Sequence, residues 1–342
     1  SYSTPPTSMG CDIGGSVIAH GLDNGDGGGT AANGQLESGE VDYSTTFCTK
    51  STMLLIDLIS GSSASYPGDL TVFNNALYFQ AYDGTNGYEL WKYDGVNAPI
   101  MVADIRAGSY SSYPAHLTVF NNALYFQARD GTNGYELWKY DGVNAPSMVA
   151  DIYSGSFGSY PGDLTVFNNE LYFQARDGTN GFELWKYDGV NAPSMVADIN
   201  PGISGSYPGD LTVFNNELYF RATDATNGYE LWKYDGTNAP SMVADINPGS
   251  SGSTPEHLTV FNNALYFVAY DVTNGHELWK YDGVNAPSMV ADIRAGSSGS
   301  SYPGDLTVFN NELYFRATDA TNGDELWKYD GVNAPIMVAD IR

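Results

Sequence analysis

The side chains best suited to bind a ligand or form a covalent link lie within the first 50 residues. Asp23-Asn24-Gly25-Asp26-Gly27 is followed by Asn33-Gly34-Gln35-Leu36-Glu37-Ser38-Gly39-Glu40. A calcium loop needs an aspartate at its first position, oxygen donors at the third and fifth, and a glycine at the sixth for the sharp turn. A backbone carbonyl at the seventh and a bidentate glutamate at the twelfth complete it. With Glu40 as the twelfth position, Asn33 is the fifth, Gly34 the sixth, Gln35 the seventh and Glu37 the ninth. About six extra residues, including Gly27-Gly28-Gly29, expand the first half. The expected cofactor is therefore calcium on Asp23, Asp26, Asn33, Gln35, Glu37 and Glu40, with the choice among Asp23, Asn24 and Asp26 open. The bland alternative is a flexible acidic, glycine-rich loop. The only two cysteines, Cys11 and Cys48, flank this stretch. A bridge between them would close 38 residues, counted from 11 to 48 inclusive, and stabilise the module by about 4 kcal/mol. Two buried thiols are the rival reading.

Elsewhere the search for catalytic groups meets a repeat. An active site needs a unique set of unlike residues, whereas Asp83, Glu89 and Asp104 each recur once per repeat. They are expected to serve turns, strand ends and hydrogen bonds between units. No Gly-x-Ser-x-Gly, His-Glu-x-x-His or phosphate-binding glycine loop occurs, and the expectation is that the chain is not an enzyme. Histidine is scarce, with His116 and His257 in equivalent slots of units two and five. These read as exposed loop residues more readily than as a metal pair. Another slot varies among copies, holding Tyr88, Tyr135, Phe182, Tyr229, His276 and Asp324. Its aromatic members, Tyr88, Tyr135, Phe182 and Tyr229, are candidate ligand contacts that would stack on sugar rings and give a polysaccharide several equal sites. The tryptophans, flanked by Leu and Tyr, are expected to pack between units instead.

The element that must position these groups is the repeat. Tyr66-Pro67-Gly68-Asp69-Leu70-Thr71-Val72-Phe73-Asn74-Asn75 returns at residues 113, 160, 207, 254 and 302, a spacing of 47 with one extra serine before the last copy. All six tryptophans fall at one repeat position. The periodicity inside a unit is two. Leu70–Phe73, Leu77–Tyr82, Glu89–Tyr93 and Met101–Ile105 read as strands. Asn74-Asn75 is a tight hairpin turn and Asp83-Gly84-Thr85-Asn86-Gly87 a longer one. Four short antiparallel strands in such a period make a propeller blade. The fold expected is all-β: a six-bladed β-propeller of six 47-residue repeats over residues 51–342. A tail at 1–8, open to O-linked sugar, and a small loop-rich module at 9–50, disulfide-closed on the first reading, precede it. Met53–Leu58 aligns with the fourth strand, so that strand appears seven times and the others six. The surplus either closes the ring, or one terminal strand, 53–58 or 337–341, is donated to a neighbour.

Glu89-Leu90-Trp91-Lys92-Tyr93-Asp94-Gly95 and its five further copies resemble the ELWxxDGT repeat of bacterial secreted and surface proteins; Glu230 to Thr237 matches through the final Thr. The cysteine-bracketed stretch is similar to small calcium loops of bacterial exported proteins. The resemblance implies an extracellular β-propeller and no particular activity. Composition agrees. The net charge of −26, from 40 acidic and 14 basic residues, repels nucleic acid and anionic lipid. No apolar run approaches a spanning helix. The chain begins at Ser1 without a leader, which reads as a processed product. The function expected is a surface or matrix structural protein, cell-surface or secreted, whose partners are its own copies in a filament. A carbohydrate-binding adhesin is the alternative.

Overall fold

A computed structural model describes residues 63–295 and 299–340, residues 58 and 59, and the strands Tyr2–Ser3, Gly15–His20 and Tyr43–Cys48. The chain divides into two units, residues 1–57 and 58–342. In the first, the three described strands form one antiparallel sheet in chain order. The residues expected to bind calcium, Cys11, the side chain of Cys48 and residues 53–57 lie outside what is described.

The second unit is a six-bladed β-propeller, and no helix occurs among the described residues. Each blade is a four-stranded antiparallel meander. The first is Gly68–Phe73, Ala76–Tyr82, Tyr88–Tyr93 and Ile100–Ala103. The innermost strands of the others are Ala115–Phe120, Gly162–Phe167, Gly209–Phe214, Glu256–Phe261 and Gly304–Phe309. The fourth strand is shorter than the alternation suggests, ending at Ala103 rather than Ile105. The hairpin turn has the expected cause: Asn74 and Asn75 both take positive φ, 46° and 57°, as a type I′ turn demands.

A bulge on each innermost strand was not anticipated. Gly68 pairs with Gln80 but Thr71 with Tyr78, so one extra residue is accommodated. Asp69 there adopts φ 52°, and His116, Asp163, Asp210, His257 and Asp305 repeat it. Asp and His are among the non-glycine residues that tolerate this region, so the bulge limits what that slot holds.

Innermost strands of consecutive blades lie side by side from the first blade to the sixth. Thr71 Oγ1 donates to Leu117 O at 3.0 Å, and the next three junctions repeat the bond at 3.2 Å. No comparable contact joins the sixth innermost strand to the first among the described residues.

Candidate functional site

Each blade has two unlike faces, and their chemistry is read from the junctions where they meet. At the first junction the leading blade presents Phe73, Tyr78 and Leu90, while the following blade presents Leu117, Leu124, Phe126, Trp138 and Tyr140. The same residue types interleave at the next four junctions. The tryptophans thus pack between blades, as expected. Ring pairs recur at one spacing: Tyr78–Tyr140, Tyr125–Tyr187, Tyr172–Tyr234, Tyr219–Tyr281 and Tyr266–Tyr329 all stand 5.8 Å apart. At the rim, each following blade lays its Asp-Gly turn on the preceding Phe-Asn. A Cβ on Gly331, for example, would stand 2.8 Å from Asn262 Nδ2 and 3.5 Å from Phe261 Cε1.

At the two ends these faces have no neighbouring blade among the described residues. Phe309 is 59% exposed where its five equivalents are 3% exposed. Leu326 is 39% exposed and its equivalents fully buried, and Tyr314 is only half-buried. On the first blade Leu70 is 60% exposed against 8–9% for Leu117, Leu164, Leu211 and Leu258. Gly95 has nothing within 4 Å of an added Cβ. Leu58 packs at the edge of this face beside Leu77 and Trp91, as Ile105 packs on the second blade. Ile59 stands over Gly84, as Arg106 stands over Gly131. The chain therefore enters the first blade where a preceding blade's end would lie. The inner end of the face is exposed at Leu70, whereas Phe79, Ala81 and Trp91 at its centre are buried.

The recurring glutamates tie each blade to the connector that leads to the next. Glu89 is fully buried, and its carboxylate accepts Ile105 N–H at 3.0 Å, Ser112 N–H at 2.9 Å and Ser112 Oγ–H at 2.6 Å. Burial pushes Glu89 and Glu136 up to about 7, with the hydrogen bonds from Ser112 and Ser159 opposing it. Glu183, Glu230 and Glu277 are raised for the same reason. Asp83 and Asp94 cap their own turns: Asp83 Oδ1 accepts Thr85 and Asn86 N–H at 2.8 and 2.7 Å, and Asp94 does the same for Val96 and Asn97. Asp104 accepts Gly108 N–H at 3.0 Å.

His116 and His257 lie not on outer loops but on the innermost strands, and His116 lines a cavity of about 430 Å3 together with Asp69, Asp163 and Asp210. Their backbone N–H groups donate to Asp69 and Asp210 of the preceding blade at 3.0 and 3.1 Å. No cluster of metal-ligating side chains occurs among the described residues. Tyr88, Tyr135, Phe182 and Tyr229 are half-buried. Tyr88 stacks on Tyr113 at 5.2 Å, and Tyr135 and Phe182 pack on Tyr160 and Tyr207 at 5.0 and 5.2 Å. Arg129 fills the space between Tyr113 and Tyr135, and Arg176 that between Tyr160 and Phe182. The sequence did not indicate the exposure of Phe309 and Leu326, because a blade's partner depends on how far the ring turns.

No protein-family model matches the chain. No curated protein matches it either. Among solved structures it is similar to a Mycobacterium tuberculosis puromycin-hydrolyzing peptidase: 11% identity, 78% of this chain, 45% of that chain, TM-score 0.52. Another is the β-propeller domain of the trilobed protease from Pyrococcus furiosus, described as having an open velcro topology, at 9% identity, 82% and 85% coverage and TM-score 0.48. Oligopeptidase B from Leishmania major gives 11% identity, 78% and 39% coverage and TM-score 0.49. The first of these likenesses corrects the expectation that the chain is not an enzyme. A peptidase shares its fold, so repetition of carboxylates around a propeller does not set the chain apart from enzymes. The chain spans less than half of the puromycin-hydrolyzing peptidase and of oligopeptidase B, and what it shares with these structures is the β-propeller fold.

Proposed function

We propose that this protein is a structural subunit of a bacterial extracellular surface or matrix, one of the ELWxxDGT-repeat propellers, and that it assembles with copies of itself into filaments. The observation that carries this reading is the apolar surface left exposed on the sixth blade at Phe309, Leu326 and Val338. Apolar patches of this kind on a protein surface mark interaction sites. In this reading the N-terminal segment is a linker module, closed by a Cys11–Cys48 bridge and holding calcium through Asp23, Asp26, Asn33, Gln35, Glu37 and Glu40. The segment itself, or a donated terminal strand at 53–58 or 337–341, supplies a further link. Polysaccharide binding at the Tyr88 slot has less support, because the rings there already stack on neighbouring tyrosines.

Negative-stain microscopy and size-exclusion chromatography with light scattering test the reading. Filaments or a ladder of oligomers are expected, and a protein that stays monomeric at about 100 μM, far above a micromolar Kd, ends it. Calorimetric titration after chelation is expected to show calcium binding with a Kd on the order of 10⁻⁴ to 10⁻³ M and a rise in melting temperature. Absence of both removes the calcium assignment.

A further inference from the structure

We infer that Arg129 and Arg176 clamp the carboxylates of an acidic polysaccharide, a polyuronate, with Tyr110 and Phe157 as platforms for its sugar rings. The inference goes beyond the self-assembly reading and does not rest on it.

The blade itself does not require arginine at this slot. The equivalent positions hold Tyr82, Thr223, Tyr270 and Thr318. In all six blades the backbone N–H of that residue donates to a connector serine carbonyl at 2.8 to 3.1 Å, so the connector is tied whatever the side chain. The connector slot 19 residues earlier holds Tyr110 and Phe157 ahead of the two arginines, but Ser63, Ser204 and Ser251 ahead of Tyr82, Thr223 and Tyr270. Aromatic ring and arginine therefore occur together, in two adjacent blades.

The guanidiniums are held in place before any ligand arrives. Arg129 stands 5.1 and 4.8 Å from the ring centroids of Tyr113 and Tyr135, and Arg176 stands 4.9 and 5.2 Å from those of Tyr160 and Phe182. Nε of Arg129 donates to Ser111 O at 3.1 Å, and Nε of Arg176 to Gly158 O at 3.2 Å. The Nη groups of both have no acceptor among the described residues, whereas Lys186, Lys233, Lys328, Arg221 and Arg316 all stand 2.7 to 3.9 Å from a carboxylate. The adjacent Asp130 and Asp177 do not neutralise the two arginines. Each commits Oδ1 to two backbone N–H groups and Oδ2 to an asparagine amide of its own turn. A fixed planar fork with its Nη groups unused fits a carboxylate in bidentate fashion.

The rings identify the class of molecule that carries the carboxylate. Tyr110 and Phe157 are each 64% exposed; Tyr110 lies 4.9 Å from the Arg106 guanidinium and Phe157 5.4 Å from Tyr153. The C–H face of a sugar packs on such a ring by dispersion, which favours a polyuronate over an acidic peptide. A second copy of this chain is a poor source of the carboxylate, because its turn aspartates are saturated by their own turns, as at Asp94 and Asp141. The rings of the Tyr88 slot, Tyr135 and Phe182, brace the arginines and do not touch sugar. Two equal sites on one chain raise the avidity for a polymer. The net charge of −26 is screened beyond about 8 Å at physiological ionic strength, so the local arginines decide.

Calorimetric titration of the full chain with oligogalacturonate tests this, in the presence of a chelator so that calcium cannot bridge carboxylates. Saturable binding is expected, weaker at higher salt and lost with the methyl-esterified oligomer. Two paired variants carry residues that other copies already hold, Arg129→Thr with Arg176→Thr, and Tyr110→Ser with Phe157→Ser. Each pair is expected to melt within about 5 °C of the unaltered protein and to weaken binding at least about tenfold. The esterified oligomer and the ring pair decide the matter even where the arginine pair melts early. No binding of oligogalacturonate, equal binding of its ester, or binding indifferent to the arginine pair overturns the site. Polyglutamate that binds as tightly, with no effect of the ring pair, assigns the arginines to an acidic peptide and overturns the polysaccharide.

Discussion

The buried glutamate of each blade is the residue on which most local order depends. Glu136 gathers Ile152 N–H, Ser159 N–H and Ser159 Oγ–H onto one carboxylate, drawing the outermost strand and the connector to the next blade together. Glu136→Ala leaves those donors buried without an acceptor. At about 1–3 kcal/mol for each unsatisfied group, a loss of at least about 3 kcal/mol is expected, checked by urea denaturation. The same groups set a pH dependence. Because burial raises the folded-state value of Glu89 and Glu136 from 4.5 to about 7, the folded state binds protons more tightly than the unfolded one. Their contribution is therefore full below about pH 4.5 and declines as pH rises towards 7. When protonated, Glu89 can donate to Ser112, whose hydroxyl has Tyr88 O at 3.3 Å as an alternative acceptor. The turn aspartates act in the opposite sense. Hydrogen bonds lower Asp94 to about 2 from 3.8, so their contribution is lost as pH falls through that range. The melting temperature is expected to peak near pH 4–5 and fall on both sides. A curve that rises steadily from pH 5 to 8 would contradict this assignment.

At the scale of the element, the turns and connectors decide whether blades can nest. Gly181 sits at φ 68°, and a Cβ there would lie 2.5 Å from the backbone nitrogen of Gly205 in the connector. Gly155 also has positive φ, 89°, but an added Cβ would meet nothing within 4 Å. Gly155→Ala is expected to cost only the conformational penalty of about 1–2 kcal/mol. Gly181→Ala must also displace backbone and is expected to cost more than twice as much, measured by thermal melts of the two variants. The extra serine before the last blade is absorbed in the connector. Ser301 bonds Glu277 as Ser112 bonds Glu89, and Ser300 Oγ accepts His276 N–H as Ser111 Oγ accepts that of Tyr88. An insertion in that loop is accommodated because the glutamate fixes a serine and not a chain length.

At the scale of the whole molecule, the arrangement of the blades decides how stability is shared. In a closed propeller each blade has two neighbours, and losing one blade breaks the circuit. Here the described blades form a row in which the terminal ones each have a single internal neighbour, so stability approximates a sum of blades and junctions. A chain truncated after residue 295 is expected to remain folded, with Phe261 newly exposed, and to retain a cooperative melt. Non-cooperative unfolding of that chain, followed by circular dichroism, would show that the sixth blade closes something the row does not display.

Strands, turns and the blade are legible in the sequence because their causes are local. Alternating Leu-Tyr-Phe, an Asn-Asn pair and Asp-Gly turns specify their backbone within a few residues, and six copies remove ambiguity. The role of Glu89 was only half legible: its recurrence marked it as structural, but its partner Ser112 lies 23 positions away and is found only by folding the chain. The left-handed bulge at Asp69, which limits its slot to Asp and His in this chain, appeared only with the strand register. The meeting of the ring's two ends was not legible at all. Six repeats fix the number of blades, yet closure depends on the five internal rotations adding to five-sixths of a turn, and no residue encodes that sum. Only the tertiary structure decided that Phe309, identical in type to five buried phenylalanines, would stand exposed, because burial there depends on the blade that follows and none of the described blades does.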